Sequence, residues 1–186
     1  KESYDRMIDL VDMAESYLKS QSAWDIKKPL TDIAPQNISC QISKLRQEIS
    51  KVAKKPLLLN LSMSQFGISF SNRPDLKKVA NQGPLTPDHV IRTKRVPMIG
   101  RDVDKYKEGY ISYFIHNEAN AKETKTMLDA APRVILDKEF GLCSIGKNMT
   151  EIGIISDIYE HTMLNILRAE ELGGFKNIVI WLVIGL

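Results

Sequence analysis

A chain of 186 residues with 43% hydrophobic content is long enough for one sizeable core, or for one domain and a piece of another. Its formal net charge of +3 comes from basic residues spread along the chain, which excludes a dedicated nucleic-acid binder with a massed phosphate-neutralising face. Cys40 and Cys143 lie far apart with no CxxC or CxH pattern, so neither a disulfide framework nor a cysteine metal site is indicated, and free thiols in a reducing cytoplasm are the expectation.

Lys1 to Ser20 reads as a helix with Met7, Ile8, Val11, Ala14, Tyr17 and Leu18 on one face. The charged start is unlike a signal peptide, and the absence of an initiator Met suggests a trimmed chain. Residues 21–35 carry Pro29 and Pro35 and behave as a connector. A second amphipathic helix is expected from about Asn37 to Lys55, with Ile38, Ile42, Leu45, Ile49 and Val52 as its stripe and Pro56 as its stop.

Leu57–Leu61 has the length of a strand, and Ile68–Phe70 is expected to form a second, shorter one. Arg73–Asn81 reads as a short helix closed by Gly83 and Pro84. The β-branched content of Val90–Val96 predicts a strand, stopped by Pro97 and Gly100. Asp102–Asn117 gives a helix that packs through Val103, Tyr106, Tyr110, Tyr113 and Phe114; that spacing suits a core face better than a base-stacking platform.

The best-marked unit runs from Arg133 to Gly174: an apolar strand, a turn centred on Gly141, a second strand and a long helix. Ile152, Ile155, Ile158, Tyr159, Thr162, Met163, Ile166 and Leu167 form its stripe, Asn148 and Glu151 have capping-box spacing, and Gly173-Gly174 is the stop. The tail Ile178–Leu186 is apolar throughout, but its nine residues fall short of the roughly 20 that span a bilayer. Helices interleaved with short strands place the chain in the layered α/β or α+β class.

The first helix echoes the last. Laying Tyr4 and Asp5 on Tyr159 and Glu160 brings Ala14 and Glu15 onto Ala169 and Glu170, and Val11 onto Ile166. Chance similarity between amphipathic helices competes with a true repeat; a repeat makes the first helix the end of a preceding, related domain.

Three stretches together resemble a known family: GPLTPDHVIRTKRVPM (83–98), AAPRVILDKEFGLCSIGK (130–147) and DIYEHTMLNILRAEELGGF (157–175). They resemble the class II aldolases of the adducin type, and more specifically the central, degenerate aldolase-like region of bacterial bifunctional aldolase/short-chain dehydrogenases. The resemblance implies a class II aldolase-like fold, with a central, mainly antiparallel sheet flanked by helices. It divides the chain into a helix from a preceding aldolase domain (1–21), a connector and helix (22–56), the degenerate domain (57–175) and an apolar tail (176–186). It also implies a cytoplasmic protein of carbohydrate metabolism. The family's rings and the apolar tail predict a homo-oligomer, or docking on a partner aldolase or dehydrogenase domain, with no nucleic acid and no membrane.

The departures from that family bear on chemistry. The resembled aldolases hold zinc with an HxH pair and a third histidine just before the hairpin glycine, and a Glu handles protons. Here Phe140 precedes Gly141, HxH is absent, and His89, His116 and His161 are scattered, so neither zinc nor a catalytic residue is expected. No GxGxxG follows a strand, so no dinucleotide is expected either. The reading is a metal-free structural or oligomerising domain of a sugar-phosphate aldolase/dehydrogenase; its alternatives are a working metal-dependent lyase on sugar phosphates or an anion-binding module.

For the last of these, His89, Arg92, Lys94 and Arg95 form the candidate anion site, since a strand would aim Arg92 and Lys94 to one face. The competing expectation is that Asp88, Asp102 and Asp104 pair with these cations. His161 beside Glu160, and His116 at a helix end, are expected to be structural, and Cys143 a small core residue.

Overall fold

The computed structural model describes residues 2–25, 38–119, 121 and 124–176. The apolar tail 178–186 and most of the connector, with Pro29 and Pro35, lie outside them.

The elements in chain order are α1 (Glu2–Ser20), α2 (Ser39–Ala53), β1 (Leu58–Ser62), α3 (Gln65–Ser71), α4 (Leu76–Ala80), a 3-10 turn (Pro87–His89) running into α5 (Val90–Thr93), β2 (Met98–Ile99), α6 (Val103–Glu118), β3 (Val134–Asp137), β4 (Gly141–Gly146) and α7 (Met149–Glu171). The four strands form one sheet in the order β1-β4-β3-β2. β4 pairs antiparallel with both β1 and β3, while β2 joins β3 in parallel. The sheet is therefore mainly antiparallel, as the resemblance implied.

β3 and β4 are buried at every residue, as central strands covered on both faces must be. Side chains alternate across the sheet. Val134, Leu136 and Leu142 join Phe70, Val79, Tyr159, Met163 and Ile166 on the face covered by α3, α4 and α7. Ile135, Cys143 and Ile145 join Leu45, Ile49, Met98, Val103 and Phe140 on the face covered by α2 and α6. The result is three layers, α/β/α, with the core split by the sheet.

Two expected strands are helices instead. Ile68–Phe70 lies in α3, because the Ser64 side chain accepts from the Gly67 amide at 3.0 Å and starts a helix there. Val90–Val96 is not extended: Pro87 opens a helical turn with its fixed φ, and the turn continues to Thr93, whose hydroxyl donates to the His89 carbonyl. Local start signals thus overrode β-branched composition at both sites.

The hairpin and final helix form as expected. Asp137 Oδ1 accepts from the amides of Glu139 and Phe140, fixing the turn, and Gly141 takes φ +69°. A Cβ at Gly141 would lie 2.8 Å from Ile68 Cγ1 and 3.2 Å from the Ile68 amide nitrogen, so the turn needs glycine both for its conformation and for the close passage of α3. Asn148 caps α7 by accepting from the Glu151 amide, while Glu151 reaches back to the Lys147 amide rather than to Asn148 itself.

Helix α1 contains no buried residue. After it, Ala23 is buried and the Arg168 guanidinium lies 4.1 Å from the Trp24 ring centroid, which ties the end of α1 to α7.

Candidate functional site

Phe140 sits where the resemblance would put a metal ligand. It is 0% exposed, packed into the core, with the Arg101 guanidinium 3.8 Å from its ring centroid. Arg101 in turn donates to both carboxylate oxygens of Asp137, at 2.9 and 2.7 Å, and pairs with Glu139. Burial alone would raise the Asp137 carboxyl, but the Arg101 hydrogen bonds and charge, together with the amides of Glu139 and Phe140, hold the group below the usual carboxylate range. The hairpin tip is thus an aromatic plug clamped by an ion pair. Among the described residues, no group of three or more His, Cys, Asp or Glu side chains converges to hold a metal. The described residues at the hairpin, with Phe140 before Gly141, do not fit the zinc of the resembled aldolases.

Cys143, beside the plug, is buried in the sheet, and that burial pushes its thiol up to about 12. A thiol so far from ionisation at neutral pH is no nucleophile.

The four residues of the candidate anion site do not share a face. His89 ends the 3-10 turn and is half-buried; Arg92 on α5 is exposed; Lys94 is buried; Arg95 is half-buried. The strand geometry that would align Arg92 with Lys94 is absent. Among the described residues, no ion pair joins Asp88, Asp102 or Asp104 to these cations, although Asp88 favours the charged form of His89; Asp102 caps α6 by accepting from the Lys105 amide. His89 is not isolated, however. Burial holds its imidazole below the ordinary range, and His161 on α7 is near enough to add to the effect against Asp88. The chain fold therefore brings together two histidines that stand 72 positions apart in sequence (161 − 89).

Lys94 is the most constrained of the four. It is 5% exposed and has φ 65° and ψ 173°, a region otherwise nearly reserved for glycine. Its Nζ donates to the Asp129 carbonyl at 2.6 Å and to the Tyr110 hydroxyl at 3.3 Å, and lies 4.4 Å from the Tyr110 ring centroid. Burial, with Arg133 nearby, pushes its amine down to about 8. A cavity that Lys94 borders measures about 10 Å³, room for a water molecule and not for a substrate. The amine is occupied in structure.

The Asp129 carboxylate answers the surrounding charge, accepting from Lys55 at 2.9 Å and from Arg133 at 2.6 Å. Burial would raise it, but these two hydrogen bonds prevail and hold it at about 2. This node pins the segment before β3 to α2 and to the loop after α5.

Outside the node, a cleft of about 230 Å³ opens between α6 and residues 95–97. Tyr106, Tyr110 and Tyr113 line it from one face of α6, and Gly109 leaves a gap in that face where an added Cβ would meet nothing within 4 Å. Arg95 and Lys105 border the same cleft, and no carboxylate does. The Tyr106 hydroxyl donates to the Val96 carbonyl, whereas Tyr113 Oη and Arg95 Nε are buried without a partner. The tyrosines were legible as a helical packing face, and Tyr106 does pack against the core; that Tyr110 and Tyr113 border an opening depended on the course of residues 95–97.

Residues 36–179 match the family described as "Aldolase class II, second domain". The chain belongs to that family. The matched region takes in α2, whose Leu45 and Ile49 are core residues against the sheet, as well as the hairpin and α7. The chain is also similar to a Bacillus subtilis (strain 168) protein named "Uncharacterized oxidoreductase YuxG", with 23% identity over 199 aligned positions. That alignment covers 94% of this chain and 28% of the relative, so the chain spans less than a third of the relative's length. No solved structure matches. Among the described residues, no helix is long and apolar enough to cross a membrane.

Proposed function

We propose that this chain is a metal-free aldolase-like domain that serves as a structural and docking unit within a longer bifunctional sugar-phosphate aldolase/short-chain dehydrogenase. The observation that carries this reading is Phe140, whose buried, Arg101-clamped ring occupies the hairpin position where the resembled aldolases carry a zinc ligand. A metal-binding histidine there would need an open coordination position and further donors converging on it. The family match supplies the aldolase half of the proposal, and the long relative named as an oxidoreductase is consistent with the other half.

Docking is supported by α1. Tyr4, Met7, Ile8 and Val11 share one face of α1 and are all exposed, an apolar stripe of a kind that soluble domains normally cover. In the aligned positions of α7, Tyr159, Thr162, Met163 and Ile166 are buried against the sheet. The face of α1 thus has the pattern of a helix that closes an aldolase-like layer, and its partner is a preceding domain of that kind, in the same polypeptide or another copy.

Metal analysis of the purified chain tests the proposal. Less than about a tenth of a zinc equivalent is expected, with no aldol cleavage of ketose phosphates and no change on chelation. Stoichiometric zinc whose removal abolishes cleavage would establish a working lyase instead.

A further inference from the structure

We propose that the cleft between α6 and residues 95–97 is a binding site for a small organic anion with a flat aromatic body, independent of any metal chemistry at the hairpin.

Three features point the same way. The first is charge: Arg95 and Lys105 border the cleft, no acidic residue lines it, and neither cation has an ion-pair partner among the described residues. Two unanswered cations beside one opening select for an anion, and a carboxylate or phosphate oxygen suits the planar fork of an arginine. The second is shape. Tyr106, Tyr110 and Tyr113 recur at steps of four and three along α6, so their rings share one face, and Gly109 between them leaves a slot. Aromatic walls favour a flat guest, and the opening of about 230 Å³ admits a single substituted ring rather than a dinucleotide.

The third feature is hydrogen bonding. Tyr113 Oη and Arg95 Nε are donors buried without partners, on side chains that stack with the guanidinium carbon 5.1 Å from the ring centroid. Unpaired buried donors are costly, and an acceptor entering the cleft relieves both after a small shift of that stacked pair. Burial raises the Tyr113 hydroxyl above its ordinary range, so it stays protonated and remains a donor. Behind the wall, Lys94 donates to the Tyr110 hydroxyl, which leaves the Tyr110 proton free for an acceptor, and burial raises that hydroxyl so that it stays protonated. The cleft thus combines aromatic walls, two cations and two or three side-chain donors, with no carboxylate among its lining residues.

The test uses the whole chain and four probes: phenyl phosphate, benzoate, benzyl alcohol and inorganic phosphate, followed by calorimetry or by ligand-observed NMR. Saturable binding of phenyl phosphate, benzoate or both is expected, at least tenfold tighter than benzyl alcohol and inorganic phosphate. The stronger of the two aromatic probes tells whether the anion is a phosphate or a carboxylate. Lys105→Gln and Arg95→Gln each weaken binding at least fivefold, and raising the salt concentration does the same in the unsubstituted chain. Gly109→Leu, whose Cβ would meet nothing within 4 Å, places a side chain in the slot and is expected to abolish binding while the melting temperature stays level or rises. If Gly109→Leu lowers the melting temperature, Lys105→Gln, on an exposed side chain, decides alone. The proposal is overturned if neither aromatic anion saturates the chain below about 10 mM, if benzyl alcohol binds as well as benzoate, or if binding survives Lys105→Gln unchanged. Zinc content plays no part in any of these outcomes, so they stand or fall separately from the structural role proposed for the hairpin.

Discussion

Helices α1 and α7 carry related patterns and have opposite fates. Tyr4 and Tyr159 are equivalent in the pattern, yet the first is 63% exposed and the second 5%; Val11 is 52% exposed and its counterpart Ile166 1%. The difference lies in what each helix finds to cover. α7 follows directly from β4, and the Asn148 cap turns it back across the sheet, where Val134, Leu136 and Leu142 wait. α1 precedes a connector and buries no residue of its own; beyond its end, Ala23 is buried and Trp24 stacks on Arg168. An amphipathic stripe states that a helix has something to bury, and leaves open where the partner is.

The sharpest break of this comparison is a pair of alanine substitutions at equivalent positions. Ile166→Ala is expected to cost about 2–5 kcal/mol in urea unfolding, because it opens a cavity in a fully buried layer. Val11→Ala is expected to change stability by less than about 0.5 kcal/mol, as an exposed position does. Equal costs would mean that α1 is packed in this chain after all, and that its apolar face needs no outside partner.

The next test concerns the hairpin that feeds α7. Gly141→Ala combines a positive φ with a Cβ 2.8 Å from Ile68, and a loss of about 1–3 kcal/mol is expected. A neutral result would show that the hairpin and α3 can part without cost.

Lys94 probes the strain stored at the end of α5. Lys94→Gly and Lys94→Ala both remove the buried amine, but only glycine suits φ 65° and ψ 173°. The glycine variant is expected to be more stable than the alanine variant by about 1–2 kcal/mol in chemical denaturation. Reversal of that order would mean that the backbone relaxes once the Asp129 and Tyr110 contacts are gone.

The smallest expected effect is on acid stability. The folded-state carboxyls of Asp129 and Asp137 lie below their ordinary values, Asp129 at about 2. A depressed carboxyl stabilises the fold above its unfolded pKa and loses that contribution as the pH falls through the folded one. Stability should therefore decline from about pH 4 to about pH 2, with Asp129→Asn abolishing about 1 kcal/mol of the decline once solvent screening of a partly open group is allowed for. A flat profile over that interval would dismiss both ion pairs as stabilising contacts.

Where the sequence was legible, the signal was local and redundant. The α7 boundaries stood out because a stripe, a cap and a double-glycine stop agree, and the hairpin because Gly141 is flanked by apolar runs. α3 and α5 were misread because a short β-branched run is compatible with either state, and the deciding groups, the Ser64 hydroxyl and Pro87, sit just outside it. The basic cluster from His89 to Arg95 was misread for the same reason: with a helical turn in place of a strand, Arg92 and Lys94 no longer face together, and the cationic pair that shares an opening is Arg95 with Lys105, ten positions on.

By itself, the sequence determined the element types with strong periodicity, the layered class of the fold, and the presence of an aromatic residue, Phe140, ahead of the hairpin glycine, because these depend on spacing along the chain and on residue identity. Tertiary structure alone decided which apolar faces are covered, which cation is buried against Asp129 and which is left beside an opening, and how close His89 comes to His161. Those outcomes depend on distances through space between residues far apart in the chain, and burial then resets the charge and hydrogen-bonding of each group that residue identity only offers.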